Sequence, residues 1–278
     1  MIEFAPEPGG RETLAAFLQS LSLADWESTT GPIRLSADLT LADLAEAVFF
    51  RNTRLLLAAL AAKEGTAATA TGNLNRVFVR ELFDQLTLPE PYRIMAQRVC
   101  KVINERDVWP LHLVRVVSQC AGFVVLRKQR FHLTRTGRAL LPEGQAGALF
   151  RRLFLAYFRK FDLHYDFHLR DVPGIQSTMA AILWRLDTVA RDWRPVRGLA
   201  PQILLPAVLR QLGAAKRSAY DTEEWILAGY VLEPLIDLGL IQQRPDTGWM
   251  TERERQETQV SALWRKFISF HPGLGDAR

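Results

Sequence analysis

Two cysteines are too few to staple a chain of 278 residues. Cys100 and Cys120 sit in apolar stretches, without Cys-x-x-Cys spacing or a paired Cys/His cluster, so they read as buried free thiols. No uncharged apolar run approaches the roughly 20 residues of a membrane-spanning helix. Residues 1–10 carry no basic segment followed by an apolar core, so no secretory signal is expected. Glycine-rich phosphate loops, the G-x-S-x-G elbow, H-E-x-x-H and the kinase motifs are all missing. These absences lead us to expect a soluble, cytoplasmic, non-enzymatic protein with no cofactor, no metal and no membrane partner.

The composition is that of an ordinary globular chain, 48% hydrophobic and 23% charged, long enough for two packed cores or one elongated core. A formal charge of +5 permits a nucleic-acid partner without requiring one. Helical periodicity dominates. Leu14, Phe17, Leu18 and Leu21 share a face. Thr40 and Asp43 form a weak capping pair before a helix whose apolar stripe is Leu41, Leu44, Ala45, Val48 and Phe49. Leu149, Leu153, Phe154, Tyr157, Phe158 and Phe161 make the strongest amphipathic pattern in the chain. Pro206 and Pro234 are expected to divide the helices that contain them.

The stretch 121–141 is the most informative. Phe123 to Leu126 is apolar and strand-prone, 127–130 is a polar turn, and Phe131-His132-Leu133 alternates. Thr134 can cap a helix opening at Arg135. Helix, hairpin and helix in succession predict a winged-helix unit. Residues 238–251 align on 121–134 without gaps, Gly239 on Gly122 and Thr251 on Thr134, which predicts a second hairpin of the same kind. The alternative is a long loop over 245–257, with Thr258-Gln259-Val260 as the return strand. The expected fold class is mainly α with short β-hairpins, as tandem winged-helix-like units around a helical middle. The expected units are 1–88, 89–145 (the central unit with the basic wing), 146–215 and 216–278.

The first hairpin is strongly basic. Arg127, Lys128, Arg130, Arg135 and Arg138, with His132 among them and no acid, could lie along a phosphate backbone. On the helix before it, Arg115 and Gln119 are spaced to share a face, and both residue types can read base edges. The corresponding C-terminal helix instead carries Glu233 and Asp237, which DNA would repel. Residues 162–171 contain the only metal-ligand side chains in a cluster, among them His164 and His168. The neighbouring Tyr165 and Phe167 favour a packed corner over a zinc site.

The pattern Gly, apolar pair, basic turn, apolar-x-Leu-Thr-x-x-Gly-Arg-x-Leu at 122–141 resembles the wing and following helix of MarR-like bacterial regulators. Thr71-Gly-Asn-Leu74, Leu133-Thr-Arg-Thr-Gly137, the aromatic helix 153–161 and Leu263-Trp-Arg-Lys-Phe267 resemble an uncharacterised bacterial family of helical, winged-helix-like proteins. Some members of that family are attached to a plasmid-type open-reading-frame domain. The first resemblance implies double-stranded DNA as partner and a role in transcription regulation. The second implies no activity. Because winged helices also serve as interaction modules, a protein partner or homodimer without nucleic acid is the competing expectation.

Overall fold

The computed structural model describes residues 8–165, 171–172, 174–213, 222–244 and 256–271. It is mainly α with short antiparallel sheets. Helix α1 (Pro8–Ser22) leads to strand β1 (Ile33–Leu35). The helix expected from Thr40 is instead a stack of turns, closed by a reciprocal pair of hydrogen bonds. Thr40 N–H donates to Asp43 Oδ2 at 2.9 Å, and Asp43 N–H donates to Thr40 Oγ1 at 3.2 Å. Regular helix begins only at α2 (Val48–Ala62).

From α2 the chain runs through β2 (Thr66–Ala67), α3 (Arg76–Phe83), α4 (Glu90–Val99), α5 (Trp109–Cys120), β3 (Val124–Arg127) and β4 (Arg130–Leu133). These strands form one antiparallel sheet in the order β2-β4-β3. Thr66 lies opposite Phe131 and Val124 opposite Leu133. The pairing of β2 with β4 crosses the boundary expected at residue 88, so α2 to β4 is one unit. Sequence spacing could not reveal this, because strand pairing is a long-range contact and β2 is only two residues long.

Helix α6 (Arg135–Leu140) is capped by Thr134, whose Oγ1 accepts from Gly137 N–H at 3.0 Å. It passes the chain to α7 (Ala146–Arg159), the central spindle. The expected one-sided stripe on α7 is buried on almost every side. Phe150 and Phe154 meet Phe267 at ring-centroid distances of 4.8 and 5.0 Å, Phe50 packs on Phe150, and Trp26 packs on Phe154. Gly147 is required by close packing. A Cβ there would lie 2.0 Å from the Ala37 carbonyl oxygen.

A second unit follows through α8 (Gly174–Ser177), α9 (Met179–Val189), β5 (Arg194–Pro195), α10 (Ala200–Ile203), α11 (Pro206–Gly213), α12 (Glu223–Leu227) and α13 (Glu233–Asp237). Pro206 starts a new helix, as expected. Pro234 has no N–H to donate, and the turn before it, Ala228–Leu232, is a π-helix joining α12 to α13. Strands β6 (Ile241–Arg244) and β7 (Glu257–Val260) pair with β5 in the order β5-β7-β6. The order helix, strand, helices, then hairpin, with the first strand beside the last, is the same in both units. Finally α14 (Ala262–Phe267) leads to β8 (Ile268–Phe270), which pairs with β1 and ties the two ends of the described chain together.

The repeat extends to individual atoms. Gly122 and Gly239 have φ of 72° and 71°, left-handed positions that suit glycine. Phe123 N–H donates to the Ser118 carbonyl at 2.9 Å, and Leu240 N–H to the Leu235 carbonyl at 2.8 Å. Thr134 Oγ1 donates to the Gly122 carbonyl and Ser261 Oγ to the Gly239 carbonyl, each at 2.7 Å. The structural counterpart of Thr134 is therefore Ser261, not Thr251. The return strand follows the long-loop alternative, and the ungapped alignment holds only through its first strand. Residues 245–255, including Thr251, lie outside the described residues.

Candidate nucleic-acid interface

The wing tip is a two-residue turn between β3 and β4. Lys128 and Gln129 have φ of 49° and 56°, the turn geometry whose twist matches a hairpin. Asn-Gly suits this turn best, and residues with a Cβ there cost about 1 kcal/mol or more each. Lys and Gln hold long polar side chains at the tip in spite of that strain. Arg127, Lys128 and Arg130 are exposed, as are Arg135 and Arg138 on α6. Among the described residues none of these five cations pairs with an acid. His132 is half-buried, opposite Val125 in the sheet.

Helix α5 is positioned quite differently from a reading helix. None of its residues is exposed. It packs between α2 and α7, with the short turn Glu105–Asp107 across its start. Arg115, expected at bases, is only 8% exposed and points inward. Its Nε and Nη2 donate to Glu105 Oε1 at 2.9 and 2.8 Å, and its guanidinium lies over the Phe131 ring at 5.4 Å. Gln119 does share its face, as the spacing predicted, but its Oε1 accepts from Arg115 Nη1. Arg115 therefore cannot read DNA from this position. The reason is a carboxylate ten residues upstream, brought in by the turn before α5, which leaves no mark in the local periodicity.

That carboxylate anchors a buried network which the sequence analysis missed. Glu105 is fully buried. The Nδ1–H of His112 donates to Glu105 Oε1 at 2.6 Å, and Nε2 shares a hydrogen bond of 2.9 Å with the Tyr165 hydroxyl. The Leu74 N–H reaches Glu105 Oε2. Burial alone would raise the Glu105 carboxyl, but the His112 hydrogen bond, the Arg115 charge and the Leu74 N–H hold it below the ordinary carboxylate range. Trp109 and Tyr165 stack beside the network with ring centroids 6.2 Å apart. Every polar atom is directed at a neighbour, so the cluster ties α5 to the Glu105 turn, to Leu74 and to Tyr165.

In the second unit the equivalent helical run, 223–237, exposes only Glu233 and Asp237. Both are acidic side chains, the kind that the sequence reading expected to be unsuited to phosphate. The cluster 162–171 is partly described. His164 lies between Asp162, at 3.1 Å, and Asp171, at 2.8 Å, with its ring edge-on to Tyr230. His168 and Asp166 lie outside the described residues. Among the described residues no three metal-ligating side chains are arranged so that they could hold a metal ion. Cys100 and Cys120 are free and half-buried. Among the described residues no helix is long and apolar enough to cross a membrane.

Neither a curated protein nor a solved structure matches the chain. Residues 45–147 match the family described as the Y4jL N-terminal domain, so a little over a third of the chain, containing all of the first unit from α2 to α6, is similar to that family.

Proposed function

We propose that this is a non-enzymatic, cytoplasmic nucleic-acid-binding protein of tandem winged-helix type that grips double-stranded DNA by its phosphates and does not read bases. The reading rests on one observation: five exposed cations, Arg127, Lys128, Arg130, Arg135 and Arg138, on one hairpin and the helix it feeds, none of them paired with an acid among the described residues. Each phosphate contact releases condensed counterions, and the gain is entropic and sequence-independent. The burial of α5 supports a backbone grip over a base-reading one, because no side chain of that helix is free to enter a major groove. The two-fold occurrence of one topology supports the winged-helix assignment, and the run of cations without an acid on the first hairpin favours DNA contact there.

The test is filter binding to random-sequence duplex DNA across a salt series. Arg127→Ala/Lys128→Ala/Arg130→Ala should flatten the slope of log affinity against log salt by about 2.7, at about 0.9 per lost contact. Affinity should not depend on duplex sequence. Unchanged binding by the triple variant would sink the assignment.

A second reading is favoured by α5, none of whose residues is exposed, and by the equivalent run 223–237, which exposes only Glu233 and Asp237. Winged-helix scaffolds whose reading helices are covered are suited to holding proteins. On this reading a stable partner or homodimer appears in light scattering and DNA retention is insensitive to salt.

A further inference from the structure

Helix α4 is the least supported helix of the first unit. Of its ten residues only Ala96 is buried. A helix this short gains little from its own hydrogen bonds and normally depends on a packed face. Val99 is instead 75% exposed. Just beyond the helix Val102 is 51% exposed, and across on α3 Val77 is 69% exposed. Between α3 and the end of α4 lies an open groove of about 720 Å³, lined by Val77 and Val102 with Arg76, Arg80 and Lys101 at its sides. Isolated exposed valines are ordinary, but exposed apolar residues lining one groove are a signature of an interaction site.

The charges around the groove decide what fits. Lys101 forms no ion pair among the described residues. Arg80 meets Asp84 only at 3.7 Å, with both side chains more than half exposed. Arg76 uses Nε on the Asn104 side-chain oxygen, at 2.9 Å. The one acid among the lining residues, Glu81, is paired with Lys63. The groove therefore carries an excess of positive charge beside its aliphatic lining. Nucleic acid suits it poorly, since bases stack on aromatic rings and the lining offers none.

We propose that this groove docks an acidic amphipathic helix from another protein, its apolar stripe on Val77 and Val102 and its carboxylates on Arg76, Arg80 and Lys101. The geometry is that of a helix laid in a groove, with anchors repeating every three or four residues. This assignment gives a surface and a partner chemistry to the interaction reading above, and rests on that reading.

The experiment is fluorescence anisotropy of the full chain with a labelled synthetic 18-residue peptide carrying Leu on one helical face and Glu on its flanks. Two controls share its length: a scrambled order that breaks the stripe, and a version with Lys for Glu. Saturable binding of the acidic amphipathic peptide alone is expected. Val77→Asp and Arg80→Glu should each weaken it at least tenfold, with circular dichroism unchanged, and Arg80→Glu should improve binding of the Lys peptide. Equal binding of either control, or indifference to Val77→Asp, overturns the proposal. Displacement of the peptide by duplex DNA from the wing triple-alanine chain also overturns it, by assigning the groove to nucleic acid. A chain that ignores the peptide but self-associates in light scattering keeps the interaction reading and loses this surface.

Discussion

Replacing Arg115 with Met tests whether α5 is held by a buried ion pair or offers a side chain to DNA. Arg115 donates twice to a carboxylate with no exposure to solvent, and the aliphatic part of Met can fill much of the same space over Phe131. Removing one partner of such a pair leaves a buried charge uncompensated, which costs about 3–5 kcal/mol. For a chain of this size that corresponds to a fall in Tm of roughly 10 °C. Adding Glu105→Gln should recover a large part of the loss, because the neutral amide carries no charge to strand. The single changes therefore couple rather than add. The pH dependence has a definite sign. The Glu105 carboxyl is depressed in the folded protein, so its contribution is fully present above the unfolded carboxylate range and is lost as pH falls through the lower folded value. The gap between wild type and Glu105→Gln should accordingly close in acid. Trp109 stands beside the network, so urea unfolding followed by tryptophan fluorescence reports on it. A cost below about 1 kcal/mol for Arg115→Met, the worth of an exposed pair, would refute the buried-network account. Loss of DNA binding at unchanged stability would return Arg115 to the role of a base reader.

Other perturbations test the repeat, the spindle and the wing. Thr134→Ala and Ser261→Ala remove equivalent caps, each with a second bond to a glycine carbonyl, and thermal melts should show similar losses of about 1–2 kcal/mol. A large disparity would argue against structural equivalence. Gly147→Ala drives a methyl group into the Ala37 carbonyl and should cost about 3 kcal/mol or more by chemical denaturation. Lys128→Asn with Gln129→Gly relaxes the left-handed turn and should stabilise the protein by about 1 kcal/mol, while the lost lysine charge weakens DNA retention at low salt.

Much of the fold was legible because its signals are local. The Gly122 turn, the alternation at Phe131 and Leu133, and the Thr134 cap all act within a few residues. The same local chemistry at Gly239 exposed the second hairpin. Its return strand was misplaced by the gapless alignment because the loop between β6 and β7 is longer than that between β3 and β4, and a pattern match cannot see loop length without the pairing. The wing cations were legible for a related reason: a hairpin tip has no neighbour to bury it.

The sequence by itself determined most of the helices, the first hairpin, the first strand of the second, the basic first wing and the acidic helix of the second unit, since each depends on residues adjacent along the chain or one helical turn apart. Only the tertiary structure decided that β2 joins β4 across the expected domain boundary, and that α7 is enclosed by the elements around it. It alone decided that Arg115 turns inward. Helical spacing fixes which side chains share a face. What that face meets is set by elements distant in sequence, here the Glu105 turn, Phe131 and Tyr165, whose carboxylate and rings make the interior the lower-energy place for a guanidinium.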